Sequence, residues 1–235
     1  MIHTMSEFRY QIRQCGREDC GLRYPMLEEQ TSGVRCPRCG APAKLVDTPY
    51  VRYQRTCKEI EPGGPEVEAL LDNLRSSFNV GSIFRTADAA GIRHIHLCGI
   101  TPNPANPKVA KTALGAERAV PWTRHGDGPA AAVSLKERGL RLWALESGPR
   151  SESLFEAVRD AHGPPIVLAV GNEVFGVDPD ILEQCDRMVC IPMQGSKTSL
   201  NVAVAFGMAA YVLRYVLLDR SFWKPEITEV DSSTA

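Results

Sequence analysis

Apolar positions along this chain fall into short solid blocks and longer periodic ones, most of them bounded by glycine, proline or asparagine. Ile166 to Val170 is an unbroken apolar block, the pattern of a strand buried on both faces. Arg93 to Cys98, Leu140 to Leu145 and Met188 to Ile191 read as further strands, and Val67 to Leu71 leads into a junction at Asn79. Val80 to Ala90 has helical spacing and is closed by Gly91, with Asn79 expected at or near the N-cap. Residues 129–138 and 178–184 read as helices, and Val202 to Leu213, apolar all round, predicts a buried one. Thr101 to Pro107 holds three prolines, which remove donors and fix φ, so it is expected to be a loop and is a candidate lid.

Units alternating in this way predict an α/β fold with a largely parallel sheet, in which ligands bind beyond the carboxyl ends of the strands. Glu61-Pro-Gly-Gly-Pro65 is the clearest breaker cluster and sets an expected division. Residues 1–60 form a cysteine-bearing segment, 66–220 the main domain and 221–235 a tail. No internal repeat or low-complexity tract is present.

Composition narrows the class without choosing a function. A chain of 235 residues with 43% apolar content can hold one full domain and a small appendage, with disorder expected only at the ends. The run Val202 to Leu213 is too short to cross a bilayer and no charged-then-apolar leader opens the chain, so a soluble, cytoplasmic protein without a membrane partner is expected. Residues 1–60 carry 10 Lys and Arg against 7 Asp and Glu, a charge of +3, which leaves −4 for the remainder. This modest split is compatible with nucleic-acid contact.

Of eight cysteines, Cys57, Cys98, Cys185 and Cys190 are scattered, whereas Cys15-x4-Cys20 and Cys36-x2-Cys39 form two pairs separated by 15 residues. That spacing suits a tetrahedral structural Zn2+ site in a ribbon; chance spacing or a redox pair are the alternatives. Four sulfurs would close the coordination sphere, so the metal would hold structure and activate no water. Sixty residues with few large apolar side chains need such a staple. Arg13, Arg17, Arg35 and Arg38 lie near the knuckles, where they could grip RNA backbone or dock a loop.

The segment Ile191-Pro-Met-Gln-Gly-Ser-Lys-Thr-Ser199-Leu-Asn201 reads as a strand end, a polar loop and a helix start. Unpaired N–H groups and the positive dipole end at such a start suit a small polar ligand or a phosphate. Plainer roles stay open for each polar residue. Asn79, Ser199 and Asn201 could be helix caps, Arg85 could pair with Asp88, and Glu173 could be solvated or could pin the turn between Gly171 and Gly176 by accepting backbone donors. The pinning role is favoured. Gly81, Gly91, Gly171, Gly176 and Gly195 are explained first by backbone needs. His94, His96 and His125 show no ligand spacing and read as structural or surface residues. No strand is followed by a G-x-G-x-x-G turn, which excludes a dinucleotide fold.

Three segments taken together, Asn73-Leu-Arg-Ser-Ser-Phe-Asn79-Val-Gly81-Ser-Ile-Phe-Arg85, Val170-Gly171-Asn-Glu173-Val-Phe-Gly176, and Ile191 through Asn201, resemble the three motifs of the SpoU-TrmH family of RNA ribose 2′-O-methyltransferases, in the SPOUT superfamily. The resemblance covers about residues 66 to 218, and three spaced motifs are more specific than any single glycine signature. It implies an α/β knot with a C-terminal trefoil, S-adenosyl-L-methionine as cofactor, a homodimer and an RNA substrate, with tRNA and rRNA both open. By the same resemblance Leu145, Gly171, Ile191, Met193 and Leu200 are cofactor contacts, and Asn79, Arg85, Glu173, Ser199 and Asn201 form the catalytic and structural polar set. A guanidinium stays protonated and is a poor base, so Arg85 is expected to bind substrate phosphate and ease alkoxide formation. A noncatalytic RNA-binding protein with the same fold, and an RNA base methyltransferase, are the alternatives.

Overall fold

Strands β1 (Glu7–Cys15), β2 (Arg23–Leu27) and β3 (Ala43–Tyr53) form an antiparallel sheet in the order β2-β1-β3 in the computed structural model, which describes residues 7–29, 34–53, 65–160 and 163–216. The chain divides into two compact units, Met1–Glu61 and Pro62–Ala235. Of the expected breaker cluster only Pro65 is among the described residues, and the expected tail lies outside them. In the first unit each cysteine pair spans a tight turn, closed by Gly21 N–H donating to the Arg17 carbonyl and Gly40 N–H to that of Cys36. Among its residues whose burial is described, only Gln11, Cys15 and Cys36 are buried.

The second unit is built on β4 (Val67–Asp72), β5 (Ile95–Cys98), β6 (Trp122–His125), β7 (Arg141–Leu145), β8 (Glu152–Ser153), β9 (Ile166–Val170) and β10 (Arg187–Cys190). They form one sheet in the order β6-β5-β4-β9-β7-β10-β8, and every neighbouring pair is parallel. Its helices are α1 (Ser77–Ala90), α2 (Pro107–Ala113), α3 (Ala116–Ala119), α4 (Gly128–Glu137), α5 (Leu154–Ala157), α6 (Pro179–Gln184) and α7 (Val202–Tyr211), the last continuing as a π-turn over Val212–Val216. No described helix is long and apolar enough to cross a membrane.

Period-two alternation sends successive strand residues to two cores. Val67, Ala69 and Leu71 of β4 and Ile166, Leu168 and Val170 of β9 join Ile83, Phe84 and Phe206 in one; Leu70, Val167 and Ala169 join Leu135, Leu142 and Ile181 in the other. Gly81 lets α1 lie tightly on α2, since a Cβ there would come within 2.6 Å of the Val109 carbonyl oxygen.

Three expectations are corrected. The N-cap of α1 is Ser76, whose Oγ accepts from Asn79 N–H at 3.3 Å, so Asn79 lies inside the first turn with its side chain free for other partners. The proline-rich loop ends earlier than expected, because Pro107 opens α2 behind the Asn106 cap; at the first helical position the missing N–H costs nothing. Helix α7 is not buried all round. It turns Phe206, Ala209 and Ala210 inward, followed by Leu213, and leaves Val204, Met208 and Tyr211 exposed, a face that a solitary soluble helix would carry as polar.

Candidate active site

Three polar residues close a buried strand or stand within two positions of its end: Asp72 ends β4, Glu146 follows β7, and Asn172 follows β9 after one glycine. All lie at the carboxyl edge of the sheet, where the backbone turns away and polar groups can be satisfied without a ladder partner. Glu146 Oε2 accepts from Val177 N–H at 3.0 Å, and Asp72 Oδ2 accepts from Asp178 N–H at 2.9 Å. Burial pushes the Asp72 carboxyl above the usual carboxylate range.

Asn172 organises the turn after β9. Its backbone exchanges hydrogen bonds with Gly176 at 2.8 and 2.9 Å, and its Nδ2 donates to the Asn73 carbonyl at 2.7 Å. Only glycine fits at position 171, since a Cβ there would fall 2.1 Å from the backbone of Gly176 and Val177.

Glu173 ties this turn to the start of α1. Its Oε2 accepts from Arg75 N–H at 3.0 Å, and Oε1 accepts from Ser76 N–H at 3.1 Å and from Asn79 Nδ2 at 2.9 Å. Burial pushes this carboxyl up, but the hydrogen bonds from Arg75, Asn79 and Ser76 outweigh it and hold the group below its usual range. A carboxylate so committed to donors pins structure and is a poor proton acceptor. Asn79 Oδ1 in turn accepts from Asn201 Nδ2 at 3.1 Å, while Asn201 Oδ1 caps α7 by accepting from Ala203 and Val204 N–H. One hydrogen-bonded chain, Asn201 to Asn79 to Glu173, therefore joins the three sequence segments.

Beside this chain is a cavity of about 350 Å³. Leu145, Gly171, Ile191, Met193 and Leu200 all line it, as do Glu173, Ser199 and Asn201. Asn79 lies on a second groove with Asn201, between α1 and α7. Arg85 is exposed two turns along α1, lines neither depression, and among the described residues makes no ion pair, with Asp88 or otherwise. Asp72, Glu146 and Asn172 were not singled out by sequence; their signal was a polar residue directly behind each buried apolar block.

In the first unit Cys15, Cys20, Cys36 and Cys39 bring their sulfurs within 4.8 Å of one another and could hold a metal ion. Cys15 and Cys39 sulfurs are 3.5 Å apart, and those of Cys20 and Cys36 3.7 Å. Four sulfurs at tetrahedral Zn–S bonds of about 2.3 Å would be about 3.8 Å apart, so the cluster needs little adjustment. Burial raises the Cys36 thiol, but the N–H groups of Cys39 and Arg38 outweigh it and bring it to about 7, whereas at Cys15 the Arg17 N–H lowers the thiol but burial and the neighbouring sulfurs outweigh it and push it up to about 12; the cluster thus favours one thiolate, not four, until a cation is bound.

A parallel α/β domain with a cavity at the carboxyl edge of its sheet is a ligand-binding domain of the kind that hosts group-transfer chemistry. The chain belongs to the SpoU rRNA Methylase family, whose model matches residues 66–211, more than half of its length. It is 35% identical over 153 residues to a 23S rRNA (guanosine(2553)-2′-O)-methyltransferase, RlmP, of Bacillus subtilis, covering 62% of this chain and 56% of the relative. It is 28% identical over 160 residues to a tRNA (guanosine(18)-2′-O)-methyltransferase of Escherichia coli, covering 68% of each. The chain thus spans little more than half of the rRNA-modifying relatives it matches. Among solved structures it resembles an AdoMet-bound rRNA methyltransferase from Sinorhizobium meliloti, with TM-score 0.61 and 28% identity over 72% of this chain and 64% of that one. The SpoU methyltransferase AviRb from Streptomyces viridochromogenes, in complex with AdoMet, gives TM-score 0.57 and 27% identity over 63% and 59%.

Proposed function

We propose that this chain transfers a methyl group from S-adenosyl-L-methionine to a ribose 2′-hydroxyl of structured RNA, tRNA or rRNA. The observation that carries this reading is the Asn201–Asn79–Glu173 chain, which locks three distant segments around one cavity. That cavity falls within the usual size of small-ligand sites and pairs apolar walls from Leu145, Ile191 and Leu200 with polar groups at Glu173, Ser199 and Asn201. The fit to the cofactor is therefore good in both size and polarity. When bound, the cofactor supplies an electrophilic methyl on a sulfonium.

The rest falls to the protein. Apolar walls exclude water, and the pinned loops fix the direction from which a hydroxyl oxygen approaches. Arg85 binds an RNA phosphate and lowers the cost of developing negative charge on the ribose oxygen. Glu173 and Asn79 position the cleft; Ser199 and Asn201 shape its mouth.

Several finer statements belong to the same reading. The cysteine cluster holds a structural Zn2+, and residues 1–60, 66–220 and 221–235 act as ribbon, catalytic domain and tail. The C-terminal segment forms a trefoil knot, and the protein works in the cytoplasm, where its RNA is. The exposed stripe Val204, Met208, Tyr211 and Tyr215, at helical spacing beside exposed Phe78, supports a homodimer through α1 and α7.

Calorimetric titration with S-adenosylmethionine, followed by transfer of labelled methyl to total unmodified rRNA and tRNA, tests the reading. Binding together with a 2′-O-methylnucleoside in the digest supports it; no binding, or label on a base, refutes it.

A further inference from the structure

Single exposed apolar side chains are ordinary, but several gathered on rigid turns around one groove mark a binding site. Phe175 is 84% exposed at the tip of the turn after β9. Its backbone is fixed: Asn172 Oδ1 accepts from both Val174 N–H at 2.9 Å and Phe175 N–H at 3.2 Å, inside the Asn172–Gly176 bridge. Across from it Ile100 is 66% exposed, and its N–H donates to Asn73 Oδ1 at 3.2 Å. Phe175, Ile100 and Arg75 line one groove, whose floor includes Asp72 and Asp178.

The floor carboxylates are largely occupied. Asp72 accepts from Asn73 Nδ2 and Asp178 N–H, and Asp178 caps α6 by accepting from Asp180 N–H. What remains is an aromatic face, an aliphatic wall, one cation at the rim and acceptor oxygens below. A nucleobase matches this set: it has a flat π-face for Phe175, exocyclic amino or ring N–H groups for the acceptors and a neighbouring phosphate for Arg75. The groove and the 350 Å³ cavity share Asn172 and Gly176 in their linings, so both flank the turn after β9.

We propose that the groove between Phe175, Ile100 and Arg75 is a nucleobase-stacking subsite, holding an unpaired base of the RNA next to the nucleotide whose ribose enters the cleft. The inference rests on the methyl-transfer reading for its choice of RNA, and its test is independent of turnover.

Full-length protein is titrated by fluorescence anisotropy with labelled oligoadenylate and with a ribose-phosphate oligomer of equal length that lacks bases. Phe175→Ala should weaken oligoadenylate binding roughly 5- to 150-fold, the range of one aromatic–base stack, and leave the abasic oligomer unaffected. Phe175→Trp should bind oligoadenylate at least as tightly as the wild type. Because the ring is exposed, thermal unfolding of both variants should match the parent. Unchanged oligoadenylate affinity in Phe175→Ala, or equal losses on both oligomers, overturns the proposal. So does a change in sedimentation, which would assign the ring to a protein contact. S-adenosylmethionine titration is run alongside: failure of the wild type to bind it would sink the methyl-transfer reading and leave a stacking result standing.

Discussion

The two units of this chain solve the same problem by different means. The Pro62–Ala235 unit buries two apolar clusters on opposite faces of a seven-stranded sheet, and its stability comes from area removed from water. Among the residues of the Met1–Glu61 unit whose burial is described, only Gln11, Cys15 and Cys36 are buried, and two of those three belong to the four-cysteine cluster that could hold a metal ion. On the reading that these four sulfurs hold a structural metal, the two units should fail under different insults.

The largest effect is expected from metal removal. Structural zinc contributes apparent binding energies of about 10–16 kcal/mol to small domains, so chelation or Cys36→Ser should unfold residues 7–53. NMR amide dispersion for residues 65–216 should survive. Phe84→Ala is the converse experiment: emptying a fully buried ring site should cost the second unit about 3–5 kcal/mol in chemical denaturation and leave zinc content, by mass spectrometry, at the wild-type value.

Within the second unit, Glu173→Ala should separate pinning from packing. It removes the acceptor for Arg75 N–H, Ser76 N–H and Asn79 Nδ2 at an exposed position, so stability should drop by only about 1 kcal/mol. Methyl transfer should fall at least about tenfold, with Glu173→Gln, which keeps one carbonyl acceptor, losing less. Arg85→Lys keeps the charge and loses the planar fork, and turnover should fall about tenfold if phosphate is held in that fork. Near-normal turnover would remove the guanidinium from the mechanism.

The smallest effect is a pH dependence confined to the sheet edge. His96 bridges Glu68 at 2.8 Å and His125 at 3.1 Å, and the His94 ring lies beside it, tilted by 35°. Hydrogen bonding to His96 holds the Glu68 carboxyl below its usual range, while burial pushes His94 and His125 down. Both directions mean that the folded state binds fewer protons than the unfolded one, so stability is lost on acidification. The histidine contribution should fade as pH drops through about 6.5, and that of Glu68 at lower pH, as it passes through the depressed carboxylate value. Melting temperatures across this range should fall less steeply in His125→Gln.

Much of the second unit was legible because buried parallel strands are solid apolar blocks; β9 is the clearest. Strand β6 was not, since Trp122-Thr-Arg-His125 lies at the sheet edge, half in water, and has no apolar alternation to read. Strand β8 is two residues long and carries no pattern. Pro107 looked like a breaker because its local signal is the same at a helix start as in a loop. Ser76, Ser77 and Asn79 are all good caps by residue type, and a contact to Glu173, 94 positions away, decides which one is released for the site. Such long-range pairings are the part that local pattern cannot carry. The cavity residues came from the family resemblance, whereas Asp72, Glu146 and Asn172 were available as polar residues behind apolar blocks. The outward face of α7 was misread because Val202 to Leu213 is apolar at nearly every position, and such a run does not mark which of its faces the fold leaves exposed.

The most direct measurement compares 2′-O-methylnucleosides, by mass spectrometry of digested total RNA, in cells with the intact gene and cells carrying Asn79→Ala. Loss of one 2′-O-methylated nucleotide, restored by the wild-type chain, is the expected result. An unchanged set of ribose methylations, or loss of a base methylation instead, would contradict the reading of the cleft.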